Sequence, residues 1–567
     1  MTDPATIASV MAVYREIEAE LTAPGAPYEM TEIDVRGEPV RTYIHAPTSL
    51  YGVFEELRIG HDDDLLITDG VERRTYAEVF DDAERLAAVL HADFRVRAGD
   101  RVGIAMANRP ADLLALLAVL RAGAVAVLYN ARGTVDELHD AIDDVPADVI
   151  LVDGRREDVV ARAAPTSRLI STDAHRDGVD LLDEVVARPA PPIDPPLGTG
   201  DDIALILFTS GTSGRAKGVR LTHRGMGNVV LNMRFVADTN LAFASRTYGI
   251  DVADLRAYLP TINALLIFPL FHVSGLAALA ATMGSGGAVV TMDRWDADRA
   301  ADLIAEFSVG MVAGPPMVVS DLMSVDDADE RLATLVNIVP GGQATPPSVT
   351  ARVDATLPNT RRSAGWGMTE VGGSVCTAGG DILAVAEGTA GPMSPTMDVR
   401  VVDDDGADLP AGAVGELLLR GGLLMDGYHG RPDDTASSFD RGWLRTGDTG
   451  YVDEHGLVYL VDRKKDLVIR KGENVSCVEV EAALYGCDQV SEAAVFGVPD
   501  DRLGERLIAA VVPADGASPT PGEVLAFASA ALSPVKTPDE VIVRTDPLPR
   551  NATGKLLKRV LRAEYTA

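Results

Sequence analysis

The sequence predicts an α/β chain: a large N-terminal unit of several subdomains, two α/β sheets and then a β-rich part, followed by a small α+β unit. Three observations predict it. Short apolar strands alternate with helical patterns through the first part, a Pro-rich connector from Pro189 to Pro196 (PAPPIDPP) separates two such alternations, and from about Met397 strand patterns crowd together with Gly and Asp turns between them.

Residues up to about Ile44 read as an N-terminal arm. Beyond it, Ala77 to Leu90 has helical periodicity and Arg101 to Ala105 reads as a buried strand; Leu113 to Val119 and Ala122 to Leu128 repeat the scheme, with Arg121 and Gly123 at the turn, and Val149 to Val152 adds a strand. After the connector, the apolar run Ile203 to Phe208 leads straight into a Ser/Thr/Gly loop. Asn263 to Met292 carries no Lys, Arg, Asp or Glu and is as long as a membrane span of about 20 residues. Pro269, His272, Gly275 and the cluster Gly284, Gly286, Gly287 cut it into the strand, loop and helix of a large core instead. Strands are expected at Val399 to Val402, Gly415 to Leu419 and Val458 to Val461, and the chain turns basic after Asp462 where the small α+β unit begins. No internal repeat is visible.

A chain of 567 residues accommodates three or four compact units at roughly 100–200 residues each. Its formal charge of -34 argues against nucleic acid as a partner, because phosphate backbones attract basic surfaces. The three cysteines, Cys376, Cys477 and Cys487, form no C-x-x-C pair and no apolar signal segment opens the chain, which fits a reducing cytoplasm.

The loop LFTSGTSGRAKGV, Leu207 to Val219, is the most informative segment. Thr209, Ser210, Gly211, Thr212, Ser213 and Gly214 are small enough to bring backbone N–H groups and hydroxyls around phosphate oxygens, and Lys217 adds a cation at the far end. The spacing differs from Gly-x4-Gly-Lys-Ser/Thr, so the common nucleotide-triphosphatase loop does not match. A flexible Ser/Gly linker is the competing reading, and it seldom follows a buried strand directly.

Four further segments follow: FPLFHVSG (Phe268 to Gly275), VPGGQA (Val339 to Ala344), GWGMTE (Gly365 to Glu370) and RTGDTG (Arg445 to Gly450). DRKKDLVIRKGENVSCVEVE (Asp462 to Glu481) and PLPRNATGK (Pro547 to Lys555) complete the set. In this order, and over about Ser49 to Leu561, they resemble the adenylate-forming superfamily, its acyl-CoA synthetase or carboxylate-CoA ligase branch; Ala216 stands where that signature commonly has proline.

The resemblance implies an AMP-binding domain over 1–464 and a small mobile domain over 465–567 hinged at Lys465. It implies ATP, Mg2+ and CoA as cofactors, with the phosphates at Thr209 to Gly214, adenine along Gly342, Gln343 and Ala344 with Trp366 stacking on it, and the ribose on Asp448. Arg463 would reach ribose or phosphate, Thr369 the α-phosphate, and Glu370 the Mg2+. Gly472 would line the entry for the CoA arm, and Lys471 would serve the second half-reaction. His272, Val273, Ser274, Gly275, Met317, Gly341, Gly365 and Met368 fall on the acyl-pocket segments. Amino-acid-activating relatives usually carry aspartate where this chain has His272, so a substrate ammonium is disfavoured. Lys555 would carry the first chemical step, with Lys217 as a helper at the leaving group.

The expected partners are therefore a hydrophobic carboxylic acid (fatty, aryl or steroid side-chain type) and CoA; self-association into a homodimer stays open. Two other readings also stay open: adenylation with an amine or a carrier-protein thiol as acceptor, and a non-catalytic nucleotide-binding relative.

Overall fold

Strands whose two faces are both covered by helices read as continuous apolar runs, and the short runs found in the sequence are strands of that kind. The computed structural model describes residues 4–566 apart from 174, 194–197, 199, 210–214, 259–260, 342–344, 346, 464–465, 471–472, 501–502, 515 and 552–553. Its first large sheet has eight strands, in the order Gly427–Tyr428, Gly218–Thr222, Ile203–Phe208, Val125–Leu128, Arg101–Ala105, Val149–Val152, Arg168–Ser171, Asp180–Leu181. From Ile203–Phe208 onward in that order every pairing is parallel. A second sheet of seven strands includes Leu65–Thr68, Asn263–Leu266, Val289–Thr291, Val309–Gly314 and Asn337–Pro340.

The helix Pro110–Arg121 is apolar on nearly every side, so it must be buried on nearly every side. Together with Tyr76–Ala92 and Val273–Gly284 it shares one core with Val102, Ile104 and Leu205 of the first sheet and with Ile67, Leu266 and Val289 of the second, which makes these helices the layer joining the two sheets. Thr75 and Glu78 form a capping box that starts Tyr76–Ala92.

A six-stranded antiparallel sheet containing Met397–Val402, Gly415–Gly421, Trp443–Val452 and Leu457–Arg463 is the β-rich part, and a five-stranded sheet with the long hairpin Val490–Asp500 and Gly504–Pro513 forms the small unit with its own core. The segment read as an arm is packed instead. Helix Pro4–Leu21 buries Met11, Tyr14 and Ile17 against Phe243, Ile382 and Leu457, and a hairpin follows it. Asn263 to Met292 is divided as expected into strand, loop, helix and strand, and among the described residues no helix is long and apolar enough to cross a membrane.

Candidate active site

The Ser/Thr/Gly loop joins Ile203–Phe208 to its antiparallel neighbour Gly218–Thr222, so it is the tip of a hairpin rather than a strand-to-helix turn, which accounts for its departure from the triphosphatase spacing. Thr209 closes the hairpin: its N–H donates to the Lys217 carbonyl at 3.0 Å and its Oγ1 accepts from the Lys217 N–H at 3.2 Å. Ser210, Gly211, Thr212, Ser213 and Gly214 lie outside the described residues. The Lys217 ammonium stands 2.9 Å from Asp434 Oδ1 and 4.8 Å from the centre of the Tyr428 ring. Tyr428 in turn donates its hydroxyl to Glu370 Oε1 at 2.9 Å, so one phenol links the loop lysine to the expected metal carboxylate.

Glu370 is buried in the turn Thr369–Val371, and its carbonyl accepts the Met425 N–H at 2.8 Å. Burial raises its carboxyl above the ordinary carboxylate range, opposed by hydrogen bonds and by Arg463. Among the described residues no group of three or more His, Cys, Asp or Glu could hold a metal unaided. The single buried Glu370 carboxylate fits Mg2+, which is commonly held by one or two carboxylates together with substrate phosphates. Thr369 is half-buried beside Glu370.

Trp366 and Asp448 meet. The indole Nε1–H donates to Asp448 Oδ2 at 2.8 Å, while Arg463 Nε lies 3.3 Å from Oδ1. Asp448 and Arg463 are register partners on Trp443–Val452 and Leu457–Arg463, which puts the guanidinium beside the carboxylate. An ionised carboxylate accepts about four hydrogen bonds, so lone pairs remain for ribose hydroxyls. Trp366, the middle residue of the strand Ala364–Met368, is only 5 % exposed.

That strand approaches its partner very closely at Gly367, where a Cβ would lie 1.8 Å from the Gly373 carbonyl oxygen and 2.7 Å from Ser374 Cα. Only backbone stands there, so backbone must move. Gly367→Ala is expected to cost roughly 1–3 kcal/mol by overpacking and, by shifting Trp366 off Asp448, to raise the KM for ATP about tenfold; thermal melting and ATP titration check both.

His272 caps the helix Val273–Gly284, its Nδ1 accepting the Ser274 N–H at 3.2 Å, and its ring stacks on Phe268 at 6.1 Å between centroids. Burial, and then the charge of Lys555, push the imidazole down to about 4, so it is neutral at physiological pH. Val273 is buried in the main core and Ser274 is half-buried. Gly275 faces the Pro269 carbonyl, 2.1 Å from where a Cβ would be, which lets the helix pack directly on the preceding turn. Gly341 lies against the edge of Phe268, Met368 is half-buried against the main core, and Gly365 and Met317 are exposed.

Lys555 reaches this place from the small unit. Its loop is closed by the Lys555 N–H donating to Asn551 Oδ1 at 2.8 Å and the Asn551 N–H donating to the Lys555 carbonyl at 2.9 Å. Arg550 ties the loop to Glu492 at 2.6 Å and to the Gly554 carbonyl at 2.9 Å. Gly554, at φ +81°, packs against Pro315 of the large unit. Gly342, Gln343, Ala344, Lys465, Lys471 and Gly472 lie outside the described residues.

Three contributors carry no motif that spacing alone would single out. Tyr428 and Asp434 stand in GYHGRPDDTASSF, legible only as turn and helix, and Asn108 stands in an ordinary loop. Asn108 is 1 % exposed; its amide donates to the Leu266 and Phe268 carbonyls at 3.1 and 3.0 Å, and its Oδ1 accepts the Leu270 N–H at 3.2 Å. It fastens the Phe268 to His272 segment to the first sheet.

Known proteins resemble the chain over most of its length. The AMP-binding enzyme family matches residues 55–429, and the AMP-binding enzyme C-terminal domain matches residues 479–555. The chain is 35% identical over 497 residues to a feruloyl-CoA synthase of Amycolatopsis sp, covering 87% of this chain and 94% of that one. It is 32% identical, with the same coverage, to a long-chain-fatty-acid–CoA ligase of Mycobacterium tuberculosis. Among solved structures, ATP-bound MatB from Rhodopseudomonas palustris is similar at a TM-score of 0.77 and 28% identity, covering 91% of this chain and 99% of that one. MenE from Bacillus subtilis with ATP and magnesium is similar at 0.73 and 26%, covering 92% and 100%. The chain belongs to the AMP-binding enzyme family, among its AMP-forming acid–CoA ligases.

Proposed function

We propose that the chain uses ATP and Mg2+ to activate a hydrophobic carboxylic acid, of fatty, aryl or steroid side-chain type, and passes the acyl group to CoA. A carboxylate oxygen attacks the α-phosphorus, and the bond from that phosphorus to pyrophosphate breaks. The CoA sulfur, having lost its proton to solvent, then attacks the acyl carbon, and the bond to the AMP oxygen breaks. Lys555 would offset charge gathering at the α-phosphorus, Lys217 would leave Asp434 for the departing pyrophosphate, and Asp448 would take the ribose. Glu370 would hold the Mg2+, whose charge neutralises the phosphates. The small domain would turn about Lys465 between the two steps, because one lid cannot serve both geometries.

The observation that carries this reading is the neutral His272 on the acyl segment, with the Lys555 charge in reach of it. A wall without a fixed carboxylate suits an apolar acid and offers nothing to an ammonium group. AMP release measured across fatty, aryl, steroid side-chain and amino acids, with CoA, amines or carrier proteins as acceptors, tests it. Release that does not depend on CoA would sink the proposed acceptor.

His272→Asp is expected to lower kcat/KM for the preferred apolar acid by at least tenfold while admitting ammonium-bearing acids. The pH profile offers a second check. The folded imidazole titrates at about 4 against 6.5 for an ordinary histidine, so its contribution to stability is complete above pH 6.5 and is lost as pH falls through about 4. Adenylation should therefore show no His272 limb near 6.5.

A further inference from the structure

The small unit buries a guanidinium where the strand pattern calls for an apolar side chain. In Val468–Arg470 alternate residues face inward, so Val468 joins the core of the unit, Ile469 is exposed, and Arg470, 6 % exposed, takes the next inward place. Its Nη1 donates to the Val535 and Thr537 carbonyls at 2.7 and 2.8 Å and lies 3.3 Å from the Pro534 carbonyl, while Nη2 pairs with Asp539 Oδ1. Asp539 is fixed in turn: its Oδ2 accepts the Leu507 N–H, and its own N–H donates to the Leu507 carbonyl, both at 2.8 Å. The Arg470 Nε has no hydrogen-bond partner among the described residues. A buried ion pair adds little stability over an apolar side chain of similar volume. What arginine adds is one planar group that holds several acceptors in a fixed arrangement.

The segment held this way is the edge hairpin on either side of Lys471 and Gly472. Those two residues lie in the chain between Val468–Arg470 and Glu473–Val475, and Arg470 and Glu473 are register partners. Among the described residues the hairpin meets the neighbouring strand Gly504–Pro513 at one register pair, Arg470 with Gly504. Gly504–Pro513 pairs instead along its whole length with Val490–Asp500. Glu505 adds a side-chain tie, accepting the Ile469 N–H at 2.7 Å. With so little backbone pairing, the place of the hairpin depends on the Arg470 side chain, which fastens it to the stretch 534–539. Lys536 of that stretch reaches Glu479 Oε2 on the helix Cys477–Tyr485 at 2.7 Å.

We propose that Arg470 is a positioning residue for the second half-reaction, holding the hairpin so that Lys471 and Gly472 meet the acyl-adenylate in a set place when the CoA thiol attacks. Buried as it is, it acts through the hairpin rather than on a substrate. This rests on the reading that Lys471 and Gly472 serve thioester formation. The first half-reaction draws on Lys555 of the same unit, whose loop is fastened separately by Asn551, Arg550 and Glu492.

The test measures both half-reactions in the full chain carrying Arg470→Met, Arg470→Lys or Asp539→Asn: acid-dependent pyrophosphate exchange, and conversion of a supplied acyl-adenylate to thioester at saturating CoA. Arg470→Met is expected to slow thioester formation about tenfold or more and to leave exchange within about twofold, because small misplacements of a working group cost rate steeply. Arg470→Lys keeps a cation beside Asp539 but cannot hold the carbonyls as well, so it should fall between Arg470→Met and wild type, and it decides the matter if Arg470→Met does not fold. Asp539→Asn should show the same selective loss, to a smaller degree. Losses of equal size in both half-reactions across the three variants would overturn the proposal, since they would report unfolding of the unit that also carries Lys555. Unchanged thioester formation in Arg470→Met would overturn it as well. Gly472→Leu separates the two levels. If it blocks thioester formation while Arg470→Met does not, the role of Arg470 alone is lost; unhindered thioester formation in Gly472→Leu would remove the reading of Lys471 and Gly472 together with it.

Discussion

Lys555→Ala is expected to lower acid-dependent pyrophosphate exchange by about 10²–10³ while leaving conversion of a supplied acyl-adenylate to thioester within a few-fold of wild type. The reasoning starts from the loop. Asn551, Arg550 and Glu492 lock its backbone, so the side chain is presented rather than found by chance. Three residues later, Lys558 forms a 2.8 Å pair with Glu481 that anchors the following helix Lys558–Thr566 to the helix Cys477–Tyr485. Replacing the lysine therefore removes a charge without releasing its support. Because Lys555 depresses His272, the variant should also show a raised His272 pKa by NMR, an independent check that the two residues are neighbours in solution. Gly472→Leu should do the reverse in the two assays. Equal loss in both half-reactions for both variants would contradict a lid with two working faces.

Legibility in the sequence follows from how far apart the cooperating residues are. Val149–Val152 and Ile203–Phe208 begin and end where the apolar runs do, because a strand covered on both faces is apolar along its length. Trp366, Glu370, Asp448 and Lys555 were legible because each stands in a short motif whose order could be checked against the others. Their couplings were not. The bond from Tyr428 to Glu370 spans 58 positions and the one from Trp366 to Asp448 spans 82, and spacing along the chain says nothing of contacts at that range. The N-terminal segment reads as an arm for a similar reason: its apolar face at Met11, Tyr14 and Ile17 has meaning only beside Phe243, Ile382 and Leu457.

Asn108 is the sharpest case of a residue that sequence spacing leaves unmarked, and its replacement should have the largest effect on stability. Its amide closes bonds to positions 158 and 160 residues away and its oxygen to one 162 away, all in a region closed to water. Asn108→Ala would leave two carbonyls and one N–H without this partner, and at about 1–3 kcal/mol for each buried group left unsatisfied a loss of at least roughly 3 kcal/mol is expected. Asn108→Asp separates hydrogen bonding from volume. It keeps the shape and the acceptor for Leu270, yet turns a carboxylate oxygen towards the Leu266 and Phe268 carbonyls. It should be at least as damaging as alanine; an aspartate variant close to wild type would mean that the side chain merely fills space. In either variant the Phe268 to His272 segment loses its tether to the first sheet, so kcat/KM for the acid should fall more than tenfold. The KM for ATP, set by the Trp366, Asp448 and Arg463 side of the site, should move by less than twofold.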